Sequence, residues 1–382
     1  MSCMKIFRSI VLVLSFSIAF TANSRAVILP APPKVDATSY LVMDYQSGRI
    51  IVRHNIDKRV EPASLTKMMT VYIVAGEIAS GNIHLNDMVP ISEKAWRMPG
   101  SRMFVEVGDK VPVSKLLRGV VVQSGNDATV ALAQYVSGSE DAFVSIMNQY
   151  AKQLGMKNTH FANSTGLPHK DHYSTAHDLA ILARALIHDY PGEYKLHSIK
   201  QFTYDNIKQL NRNTLLWRDD SVDGVKTGHT ESAGYCLVAS AKRDGMRLIS
   251  VVMGTPSEEA RARDSQTLLN YAFRFYETHK LYAANQSITN SRIWKGDKDD
   301  FDLGIDKDLW VTIPRGKYKE LDASINIPPV IIAPVQKGSV QGSLKVSLDG
   351  KQLAMRPLIA LDTVNKGSLL DRLEDGIRLL FR

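Results

Sequence analysis

A serine followed three residues later by a lysine, Ser64-Leu65-Thr66-Lys67, is the pattern in this chain best suited to covalent chemistry. A serine hydroxyl is a weak nucleophile at neutral pH and attacks a carbonyl only with a base in hydrogen-bond reach. On a helix this spacing puts both side chains on one face, so the Lys67 amine can meet the Ser64 hydroxyl. The start of a helix also favours negative charge developing on that oxygen. Lysine accepts a proton only if its pKa falls, through burial or a second cation, and Lys226 is the candidate for that cation.

Two further strings follow in order. Ser124-Gly125-Asn126 lies just after the apolar Gly119-Val120-Val121-Val122, and Gly125 allows a tight turn that presents both polar side chains to a cleft. There Ser124 would relay a proton to a leaving amine, while Asn126 would orient Lys67 and hold a substrate carbonyl. Asp223-Gly224-Val225-Lys226-Thr227-Gly228-His229 precedes a strand pattern at Tyr235 and reads as an exposed edge strand, to which an extended peptide can pair. Gly228 is expected to remove a side chain from the path of that peptide, and Lys226 and Thr227 to hold a terminal carboxylate. The backbone N–H groups of Ser64 and His229 would bind the oxyanion of a tetrahedral intermediate. Each string alone is weak, since Ser2-Cys3-Met4-Lys5 also fits the first and Ser80-Gly81-Asn82 and Ser324-Ile325-Asn326 the second. Their order and spacing carry the weight.

The elements that must position these residues follow from periodicity. Tyr40 to Tyr45 and Ile50 to His54 flank Gln46-Ser47-Gly48 as a hairpin, and Ala63 to Ala79 reads as a helix entered through Pro62. Lys115 to Val136 and Ala142 to Leu154 carry apolar residues at helical spacing. Thr175-Ala176-His177-Asp178 fits a capping box for a helix through Ile187. Strands at Tyr235 to Ala241 and Leu248 to Met253 bracket Arg243-Asp244-Gly245, and a helix from Glu258 to Thr278 follows. Beyond Tyr282 the pattern turns to short β-type runs: Trp310 to Ile313, Ala323 to Ile327, Val330 to Ile332, Leu344 to Leu348 and Leu358 to Leu361. Asp349-Gly350 marks a hairpin among them. From Ser368 onward, Leu369, Leu370, Leu373, Ile377, Leu380 and Phe381 share one helical face, the pattern of an amphipathic helix lying in a membrane interface, or docked on the β domain.

The whole chain bounds these readings. At 382 residues, 44% hydrophobic and 23% charged, it has the composition of an ordinary globular protein of two domains or one large one. Lys5 and Arg8 precede an apolar run from Ile10 to Phe20, with Ser24-Arg25-Ala26 at cleavage-like positions, so residues 1–26 read as a secretory signal peptide. That run is too short for a bilayer core of about 30 Å, which takes roughly 20 helical residues. Cys236 is then the sole remaining thiol, and the exported chain has no disulfide framework. The net charge of +8 is scattered, with no aromatic-interleaved basic stripe, so nucleic acid is not expected as a partner. His160, His169, His172 and His177 fit no helical H-E-x-x-H spacing, and neither a metal nor another cofactor is expected.

The three motifs form the S-x-x-K, S-x-N and K-T-G set of β-lactamases and penicillin-binding proteins. Longer strings, Ala63 to Thr70, Gln123 to Ala128, Leu210-Asn211-Arg212-Asn213 and Asp223 to Thr230, resemble the serine D-alanyl-D-alanine carboxypeptidases of the penicillin-binding protein 5 and 6 type. The resemblance runs from about Tyr40 to the C-terminus. It implies an α/β (α+β) transpeptidase-like domain whose antiparallel sheet is flanked by helices, a small all-β domain and an amphipathic anchor at the periplasmic face of the inner membrane. The implied boundaries are 27–282, 283–365 and 366–382. The implied partners are peptidoglycan stem peptides ending in D-Ala-D-Ala and β-lactam antibiotics. Arg261 matches a family arginine associated with the substrate carboxylate, with Arg263 close by as the other choice. Thr129 stands where some members have cysteine, and the Met98 to Phe104 loop is short. A β-lactamase is the nearest rival, but it needs a carboxylate to activate the deacylating water, and Ala142 to Lys170 contains none. A long-lived penicilloyl adduct is therefore expected. A non-catalytic cell-wall scaffold on the same fold is the other alternative.

Overall fold

The structure is a computed structural model that describes residues 29–381, so the expected signal peptide lies outside the described residues. Five antiparallel strands form the central sheet, in the spatial order Ile50–His54, Ser39–Asp44, Met246–Thr255, Gly234–Arg243 and Val222–Thr230. The inner strands are nearly continuous apolar runs because helices cover both faces. Along Gly234–Arg243, Cys236 and Val238 point into one core while Leu237, Ala239 and Ala241 point into the other. The first core also holds Met68, Leu132 and Leu182 from helices Lys67–Ala79, Asn126–Ser137 and Ala176–Asp189. The second packs Leu268, Leu269 and Ala272 of the Glu258–Phe275 helix against the opposite face.

Four expectations are corrected. The Lys115 to Val136 pattern is two helices, Val113–Arg118 and Asn126–Ser137, separated by a wide turn at Gly119–Gln123 and by Ser124 in the left-handed region at φ +65°. Periodicity is blind to this break because the buried valines 120–122 continue the apolar face through it. The last long helix stops at Phe275, not Thr278. Tyr276–Tyr282, rich in β-formers, pairs instead with Leu309–Pro314. Val330 to Ile332 makes no ladder. It is reduced to one bridge, Trp294 to Ile332, in a segment hemmed by Pro328, Pro329 and Pro334, which lack donors. Finally, the first helix opens with a tight 3₁₀ turn, Ala63–Thr66, before α-helical geometry starts at Lys67.

The C-terminal part is all-β. A five-stranded antiparallel sheet, Thr289–Arg292, Asp300–Gly304, Lys351–Ala360, Val340–Leu348 and Leu321–Asn326, packs with the Tyr276–Tyr282 and Leu309–Pro314 pair around Leu309, Val311, Ile313, Leu344, Val346 and Leu358. Asp349-Gly350 forms the expected hairpin, both residues having positive φ. The Leu369–Leu380 helix follows, opened by a capping box between Ser368 and Asp371. Its apolar residues stay out of the protein: Leu370 is 79% and Leu380 82% exposed. Its polar side is tied to the β domain, where Asp375 accepts the Lys295 N–H at 2.5 Å and faces Arg292 at 3.5 Å. No helix among the described residues is long and apolar enough to cross a membrane.

Candidate active site

The tight turn at Ala63–Thr66 brings Ser64 to the floor of a cleft and sends Lys67 into the core, where it is fully buried. The Lys67 Nζ has three close polar neighbours: Ser64 Oγ at 2.9 Å, Asn126 Oδ1 at 2.7 Å and the Thr165 carbonyl at 2.6 Å. The last two can only accept. A neutral amine has two N–H bonds and one lone pair, so donating both hydrogens to them leaves the lone pair for the Ser64 hydroxyl. Burial pulls the Lys67 pKa from 10.5 down to about 7, helped by the nearby Arg212 charge and opposed by Asp127. Arg212 is thus a further cation acting on this pair, beside the mutual repulsion of Lys67 and Lys226 that the motif suggests. Both lysines are held in low dielectric, and Lys226 is itself pushed well down by burial and by the positive charges of Lys67, Arg212 and Arg261.

The Ser124-Gly125-Asn126 turn is fixed from several sides. Asn126 donates its Nδ2 hydrogen to the Pro99 carbonyl at 2.6 Å, which settles that its oxygen faces Lys67. The Asn126 N–H reaches the Ser101 carbonyl at 2.7 Å. Next to it, the buried Asp127 carboxylate accepts the N–H groups of Met103 and Phe104, each at 2.8 Å, so the short Met98 to Phe104 loop is clamped onto the motif. Thr129 sits behind the turn with its hydroxyl on the Gly125 carbonyl at 2.6 Å. Ser124 Oγ accepts from Lys226 Nζ at 3.0 Å, which joins the second and third motifs.

Lys226, Thr227 and Gly228 lie on Val222–Thr230, which is an edge strand as expected but not an exposed one. The Ala63–Thr66 turn and the Lys195–Ser198 turn pack on it, and those three residues are buried. Gly228 lines the cleft and meets a second demand besides the expected one. A Cβ there would come within 3.0 Å of the Pro62 carbonyl oxygen and 3.2 Å of Ala63 Cβ, so the glycine lets the strand lie against the turn that carries Ser64. Gly166 plays the same part for the loop opposite. Its φ is +86°, and a Cβ would stand 1.8 Å from the Ala63 carbonyl oxygen.

The resulting cleft, about 430 Å³, is lined by Ser64, Ser124, Asn126, Thr227, Gly228 and His229 together with Arg261. Lys67 and Lys226 stand behind it, bonded to its two serines. His229 lies outward, its ring stacked on Tyr235 at 4.0 Å. Arg261 is buried, donates to Glu258 at 2.9 Å and reaches the carbonyls of Gly228 and Arg212 at 3.4 Å. Arg263 is absent from the cleft lining, its side chain is 59% exposed, and it pairs with Asp264. Arg212, Thr165, Gly166 and Glu258 are cleft residues that motif reasoning left out. Arg212 was within reach, because it stands in the Leu210 to Asn213 string. Among the described residues, Glu258 is the sole carboxylate in the lining. Glu140, just before the acid-free segment, is turned away onto Ser164 and Lys94. Of the histidines, His172 holds the Thr66 hydroxyl and the Ala162 N–H, and His177 faces Asp57.

A serine backed by a buried lysine that is readily deprotonated near neutrality, with Arg212 and Arg261 lining the cleft beside the Val222–Thr230 strand, defines a serine acyl-transfer enzyme of the penicillin-binding fold. Family comparison places the chain within that class: residues 26–257 match D-alanyl-D-alanine carboxypeptidase, and residues 276–366 match the penicillin-binding protein 5 C-terminal domain. The chain belongs to the D-alanyl-D-alanine carboxypeptidase family and is a serine-type carboxypeptidase. It is 44% identical to D-alanyl-D-alanine carboxypeptidase DacA of Escherichia coli (strain K12) over 362 residues, 93% of this chain and 90% of that protein. Against the DacA of Haemophilus influenzae the identity is 46% over 354 residues, 91% of this chain and 90% of that one. The structure of penicillin-binding protein 5 from Haemophilus influenzae superposes with a TM-score of 0.86 at 46% identity, covering 88% of this chain and 100% of that chain. Penicillin-binding protein D2 from Listeria monocytogenes, solved in an ampicillin-bound form, matches at 29% identity with a TM-score of 0.59 over 64% of this chain and 100% of that one.

Proposed function

We propose that this enzyme trims the terminal D-alanine from peptidoglycan pentapeptide stems through an acyl-enzyme on Ser64. Lys67 takes the Ser64 proton as Oγ attacks the carbonyl carbon of the penultimate D-alanine. The N–H groups of Ser64 and His229 hold the oxyanion. Ser124 passes a proton, supplied from the Lys67 and Lys226 side, to the departing amine as the C–N bond breaks. Water then cleaves the ester, Lys67 again serving as base, and the shortened peptide leaves. Lys226, Thr227 and Arg261 hold the terminal carboxylate. The substrate lies against the end of Val222–Thr230 that lines the cleft, from Thr227 to Thr230. A β-lactam enters the same path and acylates Ser64.

The observation that carries this reading is the meeting of the Ser64 hydroxyl, at 2.9 Å, with a fully buried lysine whose pKa burial lowers to about 7, so that an unprotonated amine is at hand beside the nucleophile. Rapid β-lactam hydrolysis is disfavoured because Glu258, the cleft's carboxylate, is engaged by Arg261. We place the protein at the periplasmic face of the inner membrane, exported by the N-terminal segment and held peripherally by the apolar face of Leu369–Leu380. The deciding experiment incubates purified protein with a peptide ending in D-Ala-D-Ala and with penicillin. Free D-alanine and a persistent adduct on Ser64 are expected, both lost in Ser64→Ala. Prompt release of hydrolysed penicillin would favour the β-lactamase reading, and no alanine release the scaffold.

A further inference from the structure

A second concave surface, about 530 Å³, lies at the seam between the two domains. The Ile50–His54 strand and the turn before it form one wall, and the Leu309–Pro314 and Lys351–Ala360 strands form the other. Among the described residues four cationic side chains line it, Arg49, Arg53, Lys351 and Arg356, with no Asp or Glu. Arg49 is committed to the structure, donating to the Thr312 carbonyl and lying over Tyr276. The other three are available. Among the described residues Arg53 and Lys351 carry no ion pair or side-chain hydrogen bond, and Arg356 donates only to the carbonyl beside it. Cations gathered in a concave, acid-free wall concentrate an anionic ligand, and guanidinium forks match carboxylates.

We propose that this seam is a second docking site for the substrate polymer, binding carboxylates of peptide branches adjacent to the one being trimmed. The inference rests on the peptidoglycan reading above. Its geometry explains why a neighbouring branch is needed. The cleft with Ser64 borders Val222–Thr230 at one edge of the five-stranded sheet, and the seam borders Ile50–His54 at the other. Four inter-strand steps of about 4.8 Å put the two edges ~19 Å apart along the sheet. An extended pentapeptide spans only about 17 Å, so a stem held at Ser64 does not fill the seam. A polymer carrying many stems engages both at once and gains by effective concentration.

The test compares wild type with the triple variant Arg53→Gln, Lys351→Gln, Arg356→Gln on a soluble pentapeptide and on purified insoluble peptidoglycan. Each exposed pairing contributes about twofold, so the triple variant should bind and trim the polymer about eightfold less well, the difference vanishing at high salt. Turnover of the soluble peptide and penicillin acylation should stay within about twofold of wild type, which also shows that the variant folds. Unchanged binding to the polymer, or an equal loss on the soluble peptide, overturns the proposal. Loss of binding to anionic lipid vesicles with polymer binding intact also overturns it, in favour of a headgroup site. Failure of the wild type itself to release D-alanine from the soluble peptide would refute the enzymatic reading instead.

Discussion

Acylation of Ser64 should follow the neutral fraction of Lys67. With a pKa of about 7, half of the amine is free of its proton at pH 7. The fraction falls to about one in ten at pH 6 and one in a hundred at pH 5, and approaches unity by pH 9. An ordinary lysine would be neutral in only about one molecule in 3,000 at pH 7, so the environment of Lys67 raises the supply of base by roughly a thousandfold. The assay is the second-order rate of penicillin acylation, read by mass spectrometry of the adduct from pH 5 to 9. It should fall about tenfold per unit below a midpoint near 7. Arg212→Gln removes a like charge, so its midpoint should move up: slower acylation at pH 6 and recovery by pH 9. A wild-type rate that is flat across this range would refute lysine as the base. An Arg212→Gln loss equal at every pH would show that Arg212 acts on the ligand and not on Lys67.

Other substitutions probe the same architecture. Lys67→Arg cannot present an unprotonated nitrogen near neutral pH, and its acylation rate should drop by at least ~10³-fold; a rate near wild type would count against the assignment. Gly166→Ala forces a Cβ into the Ala63 carbonyl, and by displacing the backbone it should cost more than about 2 kcal/mol in urea denaturation together with most acylation. A neutral outcome there would mean the loop relaxes freely. Truncation after Lys366 should shift the protein from the membrane to the soluble fraction without changing soluble-peptide turnover, and unaltered fractionation would exclude the terminal helix as the anchor.

Legibility in the sequence depended on whether side-chain identity or backbone placement does the work. Ser64, Lys67, Ser124, Asn126 and Lys226 announce themselves because their chemistry requires those residue types in that order, and the structure brings all five together. Thr165 contributes a backbone carbonyl, which any residue would supply, so no motif marks it. Glu258 pairs with Arg261 one turn further along the same helix, a spacing the sequence displays, but that this turn faces the cleft is set by how the helix packs. The apolar pattern located most strands and helices but read through the Gly119–Gln123 turn, where burial continues although the helix is interrupted. Gly228 was visible as a glycine with a purpose, yet its true neighbour, the turn at Pro62 and Ala63, comes from far away in the chain. The choice between Arg261 and Arg263 likewise waited on which of two close arginines faces inward.

The deep placement of Lys67 sets reactivity against durability. The unfolded chain keeps this lysine protonated up to about pH 10.5, whereas the folded chain releases the proton near 7, so below neutrality folding carries a penalty of ~5 kcal/mol that shrinks as pH rises through that interval. Replacing Lys67 with methionine would lift the penalty while stranding the Asn126 oxygen and the Thr165 carbonyl, each worth about 1–3 kcal/mol. An inactive variant of this kind should therefore lose less stability than the working enzyme as pH falls from 9 to 6, and the native protein should be hardest to unfold on the alkaline side of neutrality.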